Sequence, residues 1–320
     1  MDNFHFKRNN KKHRVANIIF LLCISILVFF PAVHCALADE VSSPTSQKPL
    51  ATPNQENKLG GQYTFYGDLG GRINPRGLVF LGGINYRNRY RYDEKYDVVS
   101  AYWQTGLGLG VSPAALQANL HFEWMPWVFL PLRLQYDYYQ YTGSNSALLS
   151  FNSANSPYGD DVRDNRHDEE MASGHRFLFQ QTLQGKFDRF IIRNQTDVAF
   201  FRFSGRGPYF LEIGQDILLK DSDFLFSNRT QLLYSIYPDN QNKKLLVGPY
   251  YEIAHAREAG ITQQKLGLSF YWEPAASFRY IGRPHLGAII AVHLEDPNRQ
   301  GQLYFLMGAG FEYTLQPKSR

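Results

Sequence analysis

Charged and amide side chains recur at every second position in several parts of this chain. The sets are Arg87, Arg89 and Arg91; Arg133, Gln135 and Asp137; Arg193, Gln195 and Asp197; Glu212 and Asp216; Arg229 and Gln231; Lys265 and Glu273; and His293 and Glu295. Residues two apart on an extended chain share a face, so each set is a polar face. Two kinds of chemistry suit such faces. If they surround water, opposed charges select solutes by sign and size. If they meet in a dry interior, ion pairs and hydrogen bonds must fill it, because an isolated buried charge is costly. Both signs recur among the sets, so both arrangements stay open. Arg87, Arg89 and Arg91 form the strongest cluster of one sign.

Other chemistry is poorly served. The run Asp160–Glu170 offers several carboxylates that could hold a hard cation, but it lacks the glycine and twelfth-position Glu of a calcium loop. A solvated acidic loop is expected there. The histidines His121, His167, His175, His255, His285 and His293 fall in no His-Glu-x-x-His zinc motif. No Gly-x-Ser-x-Gly elbow is present. No catalytic residue, metal or cofactor is assigned. An active site assembled from distant segments, acting on lipid or lipopolysaccharide, is the alternative to a non-enzymatic protein.

The formal charge of +4 comes from the N-terminus. Residues 1–38 hold Lys7, Arg8, Lys11, Lys12 and Arg14 against Asp2, and the remainder has 28 basic and 28 acidic residues. A basic pI therefore gives no support to a nucleic-acid partner. Both cysteines, Cys23 and Cys35, lie in the same stretch, so nothing after it can form a disulfide. The basic start, the apolar run Ile18–Val33 and the small-x-small series Ala36-Leu37-Ala38 form the plan of a cleaved signal peptide over residues 1–38. Residues 39–61, rich in Ser, Pro, Gln and Asn, lack the apolar side chains that would offset ordering. They are expected to be a flexible periplasmic lead-in.

The elements that carry the polar faces have period two. Leu303, Phe305, Met307, Ala309, Phe311, Tyr313 and Leu315 alternate with mostly polar or small neighbours. Leu116, Ala118, Leu120, Phe122 and Trp124 repeat the pattern, as do Leu266, Leu268, Phe270 and Trp272. Thirteen such segments occur, near 62–73, 77–92, 98–111, 114–125, 128–142, 175–187, 189–203, 208–219, 223–237, 243–256, 262–273, 276–295 and 301–315. Most are long enough to span a membrane when tilted. Composition agrees: 24 Phe and 21 Tyr sit in a chain of negative mean hydropathy, as expected when lipid-facing and lumen-facing residues alternate.

In its apolar N-terminus, alternating segments, aromatic-rich segment ends and turn residues such as Asn74-Pro75-Arg76-Gly77, the chain resembles bacterial outer-membrane β-barrel proteins as a class. The resemblance covers 62–316. It implies an all-β fold, an antiparallel transmembrane β-barrel at 62–320. It also implies the outer membrane as location, outer-membrane lipid and lipopolysaccharide as surroundings, and the outer-membrane assembly machinery as a partner. The function expected is a passive pore or a packed structural barrel. Such barrels have an even strand number. Twelve strands follow if 62–73 is only a lead-in, and fourteen if 276–295 breaks at Arg283-Pro284; twelve is preferred. The long acidic connection 143–174 should face outside, yet counting twelve strands from residue 77 puts it in the periplasm. In the outward phase Gln181, Asn194, Thr196, Gln215, Asn228 and Thr230 form a polar stripe. Amides in hydrocarbon need partners, and a homo-oligomer meeting across this stripe would supply them.

N-terminal sequencing of the protein from outer membranes should begin at Asp39 or within a few residues of it. Full-length protein in the cytosol would contradict the signal.

Overall fold

Alternation becomes structure here because a pleated strand separates odd from even side chains. In the computed structural model the described residues are 59–73, 77–93, 98–143, 148–166, 171–237, 243–275 and 283–315. The signal-peptide expectation and nearly all of the lead-in lie outside them. Twelve strands form one closed antiparallel barrel. They are β1 (Gly60–Ile73), β2 (Gly77–Asp93), β3 (Val98–Val111), β4 (Ala115–Trp127), β5 (Leu130–Thr142), β7 (Met171–Phe187), β8 (Phe190–Phe203), β11 (Ser222–Ser235), β12 (Lys244–Ala256), β13 (Ile261–Glu273), β14 (Arg283–Glu295) and β15 (Leu303–Leu315). Each pairs with its barrel neighbours in sequence, and β1 also pairs with β15. β6 (Ser150–Phe151), β9 (Tyr209–Glu212) and β10 (Ile217–Lys220) make a separate small sheet, and α1 (Asp160–Asp164) is one short helix.

The strand number matches the expectation, but by a different assignment. Residues 62–73 are a full barrel strand, paired from Tyr63↔Leu315 to Ile73↔Phe305 on one side and with β2 on the other. The segment that does not join the barrel is 208–219, which folds into the β9–β10 hairpin. Its apolar residues Phe210, Leu211, Ile217, Leu218 and Leu219 are all fully buried. Consecutive burial of this kind marks a segment covered on both faces, whereas a lipid-facing strand buries alternate residues. The proposed break at Arg283-Pro284 falls at the first residues of β14, and 276–282 lie outside the described residues.

Adding β1 reverses the parity of the connections from β2 to β8, and the loss of 208–219 as a spanning strand restores it beyond. The β5–β7, β8–β11, β12–β13 and β14–β15 connections now share the barrel end opposite Gly60 and Leu315. This removes the conflict over the long connection, whose last residues, 171–174, already belong to β7.

The outer surface is apolar. Leu69, Leu107, Leu109, Phe122, Leu134, Phe177 and Leu268 are among its exposed side chains. No helix among the described residues is long and apolar enough to cross a membrane, and the strands carry the crossing. Around the end that holds Gly60 and Leu315 runs an aromatic belt. Its rings touch in the pairs Tyr63–Tyr86 (5.1 Å), Tyr86–Trp103 (5.5 Å) and Phe190–Tyr234 (5.3 Å), and the Trp124 Nε1–H donates to Tyr90 at 2.9 Å. Such belts sit at the membrane–water boundary, where an aromatic body and a polar tip are both accommodated.

This assignment separates two deletions. A chain lacking 60–73 should lose the fast-migrating band that closed barrels show on unboiled gels, because β2 and β15 become free edges. A chain lacking 209–220 should keep it. The opposite pattern would restore 208–219 as a barrel strand.

Candidate functional site: a plugged barrel with a polar lumen

The inner phase of the strands holds most of the polar faces read from the sequence, and they are extensively paired. Asp137 is fully buried and accepts hydrogen bonds from Gln117 (2.7 Å), Gln135 (2.8 Å) and Arg176 (2.7 Å). Asp197 accepts from Gln180 (2.9 Å), Gln195 (3.1 Å) and Arg229. Arg193 donates to Gln195 at 3.3 Å. Arg133 lies 3.7 Å from Glu123, which also accepts from the Tyr102 hydroxyl. Arg87 donates to Gln104 at 2.7 Å and sits over the Tyr102 ring. Lys265 reaches Glu252 at 3.4 Å and the Tyr304 ring at 4.8 Å. Glu273 pairs with Lys244 at 3.3 Å, and His293 with Asp296 at 3.4 Å.

Two expected lumen residues leave this phase, each because of a bulge that shifts the alternation by one residue. On β2 the register places Arg89 opposite Tyr102 but Arg91 opposite Ala101, so Arg91 drops out of the row and is exposed. On β14 Gln264 pairs with Glu295 while Lys265 pairs with His293. Glu295 is therefore exposed and accepts a hydrogen bond from the outward-facing Gln264. Glu212 and Asp216 do face the interior, but from the β9–β10 hairpin.

That hairpin, with 148–166, plugs one end of the barrel. Leu148, Leu149, Phe151, Tyr158, Phe210, Leu211 and Ile217–Leu219 pack against inward side chains of the barrel, among them Tyr141, Phe201, Phe203, Leu225 and Ile261. A polar lock ties the plug to the wall. Arg299, in the β14–β15 connection, is 2% exposed and is paired with Asp216 and, at 2.9 Å, with Asp160 of α1. Arg163 lies 3.7 Å from Asp216 and 3.6 Å from Asp160. Asp216 has a left-handed backbone, φ 59°, tolerable because Asp is among the few residue types that adopt it readily. Its carbonyl accepts from Gln263 of β13 at 2.6 Å. Burial lowers the pKa of Arg163 even beside two carboxylates. Burial opposes ionisation of Asp296, but hydrogen bonds from His293 and from the backbone of Asn298 and Arg299 outweigh it and hold the carboxyl below its usual range. Arg72 of β1 donates to the carbonyls of Ile213 and Gly214 at the hairpin tip.

The plug leaves space along the β1–β5 wall. A cavity of about 700 Å³ runs from the turn-side residues Gly77, Ser112 and Ala115 past the hairpin tip to Arg87, His121 and Arg133. The wall there is thinned by glycine. Tyr66 lies across Gly83 and Gly108, where a Cβ would sit 2.7 and 2.6 Å from its hydroxyl. These two positions cannot carry a side chain without moving Tyr66.

The outward polar stripe is also resolved. Asn194 and Asn228 exchange amide hydrogen bonds at 3.0 and 3.1 Å, and they bond Thr230 and Thr196 at 2.8 and 2.9 Å. These four groups satisfy one another within one barrel, which removes the need that pointed to a second copy. Gln215 does not belong to the stripe, because it lies at the hairpin tip; Gln181 stays in the outward phase of β7 beside Thr196.

Among the described residues no group of three potential metal-ligating side chains is present. Asp160 of the acidic run is committed to Arg299 and Arg163, and His167–Glu170 lie outside the described residues. The outward pair His255–Thr262, at 2.9 Å, has among the described residues no carboxylate paired to the imidazole, the third group that an activated hydroxyl requires. Arg176, Glu252 and Arg299 were missed by the sequence reading, and Asp160 and Arg163 were read only as part of a solvated acidic loop. For Arg176 the alternation with Leu178 and Gln180 was available; for Arg299, inside a turn sequence, no signal was.

The closed ladder, apolar belt and polar interior define an outer-membrane-type β-barrel of twelve strands. No family model matches the chain, and no characterised protein matches it in sequence. Among solved structures it is similar to the β domain of the Bordetella autotransporter BrkA, with 11% identity, 80% of this chain and 100% of that chain covered, and a TM-score of 0.41. It is also similar to an outer membrane channel from Pseudomonas putida F1, at 8% identity, 86% and 100% coverage and a TM-score of 0.38. A third is LpxR from Salmonella typhimurium, at 8% identity, 78% and 99% coverage and a TM-score of 0.36.

Replacing Arg299 with Met leaves the buried Asp216 without its main partner and frees the half-buried Asp160, a loss of about 3–5 kcal/mol for a buried pair broken on one side. Limited proteolysis should then cut within 148–166 while the unboiled gel band persists. Adding Asp216→Asn, which keeps the left-handed preference, should restore part of the protection.

Proposed function

We propose that this barrel is a restricted passive channel for small polar solutes, with its path along the β1–β5 wall beside the plug. The observation that supports it is the cavity of about 700 Å³, lined by Arg87, Asn119, His121, Arg133 and Gln135, which passes the hairpin tip instead of ending at it. The plug fills the β7–β14 side of that end with apolar packing, so the path is narrow. Barrels of this type normally keep both chain ends in the periplasm. With Gly60 and Leu315 there, the plug and the long β5–β7 connection face outside.

In planar bilayers the purified protein should give small, stable unitary currents. Deleting 209–220 should raise the unitary conductance several-fold, and Gly108→Leu, which must push the Asn119 and Tyr66 side chains off the wall into the path, should lower it. Absence of current from both the intact chain and the deletion would overturn the channel in favour of a packed barrel.

A further inference from the structure

The outer face is not uniformly greasy. Between β4 and β11 it is concave: a groove of about 590 Å³ is floored by Leu120, Phe122, Leu134, Phe177, Phe179 and Phe200. Immediately toward the plug end lies a polar row on four successive strands. Register places Tyr138 opposite His175, His175 opposite Arg202 and Arg202 opposite Ser222. The Tyr136 hydroxyl and His175 Nδ1 are 2.8 Å apart, which fixes the imidazole at the groove's edge. Among the described residues Arg202 is the one Arg or Lys in the outward phase at the plug end of the strands. It is exposed and pairs with no carboxylate there.

We propose that this surface binds a phosphorylated, acylated glycolipid of the outer leaflet. One acyl chain lies in the aromatic groove, and a phosphate rests on Arg202 and His175. A guanidinium offers a phosphate two parallel donors, and the apolar groove below gives the chain a concave seat that a convex barrel wall does not. The width favours a glycolipid over a single-phosphate glycerolipid. Four strands at about 4.8 Å spacing make a polar row about 14 Å wide, the size of a disaccharide headgroup. The inference rests on the orientation given above, with the plug outside, and is independent of whether the lumen conducts.

The test uses the full mature barrel in detergent and native mass spectrometry. The lipids are a bis-phosphorylated acylated disaccharide, its dephosphorylated form and phosphatidylglycerol. The intact protein should retain one phosphorylated glycolipid. Arg202→Gln should lower its retention about tenfold, as expected for a lost charge-assisted bidentate contact, and Val198→Trp, which fills the groove from β8, should lower it comparably. Unboiled gel mobility checks that both variants are closed. Equal retention by the intact protein and both closed variants would overturn the site. So would equal retention of the dephosphorylated form, or displacement by phosphatidylglycerol at matched concentration. Loss of conductance without loss of lipid would leave this site standing and reject only the channel.

Discussion

The pairing of β1 with β15 is the constraint on which the rest of this molecule depends. In hydrocarbon every backbone N–H and C=O must find a partner within the protein, and a sheet does this only by closing. Here closure joins residues about as far apart as the described chain allows; Thr64 and Thr314, 250 positions apart, face each other across the seam. Once the sheet is closed, one phase of every strand meets lipid and the other meets the interior. The apolar outer belt and the charged inner rows are two results of the same geometric fact.

The interior then poses its own problem. Asp137 and Asp197 lie deep in the barrel, and each is surrounded by an arginine and two amides. Pairing of this density offsets desolvation without leaving the lumen empty of charge. The plug solves the remaining volume in a different way, by apolar packing fastened with a few buried ions. The lumen is thus divided: one side is filled and locked, and the other holds a cavity along a glycine-thinned wall.

Much of this was legible in the sequence because period two is a strong signal. The outward residues of β4, β13 and β15, and the inward Arg133, Asp137, Arg193, Asp197, Arg229 and Lys265, stand where alternation puts them. Alternation fails where it is interrupted locally. The bulges near Arg89 and His293 turned Arg91 and Glu295 out of phase, and a bulge has no fixed sequence mark. It also fails where a segment is covered on both faces. Tyr209-Phe210-Leu211 and Ile217-Leu218-Leu219 are continuous apolar triplets, and that continuity distinguishes an inserted hairpin from a spanning strand. The lock at Arg299 was invisible for another reason: its partners, Asp216 and Asp160, are 83 and 139 positions away, and only the closed fold brings them together.

The location of Arg299 has a consequence for assembly. It lies in the connection between the last two strands, whereas the plug it fastens is contributed by residues 148–166 and 209–220. Without the β14–β15 hairpin the plug segments keep Arg163, Arg72 and Gln263 as polar partners but lack the guanidinium that joins Asp216 to Asp160. The same hairpin delivers the edge that seals the sheet against β1. Sealing the wall and completing the lock on its contents thus depend on the same pair of strands, and a chain lacking them would carry neither a shut wall nor a fully fastened interior.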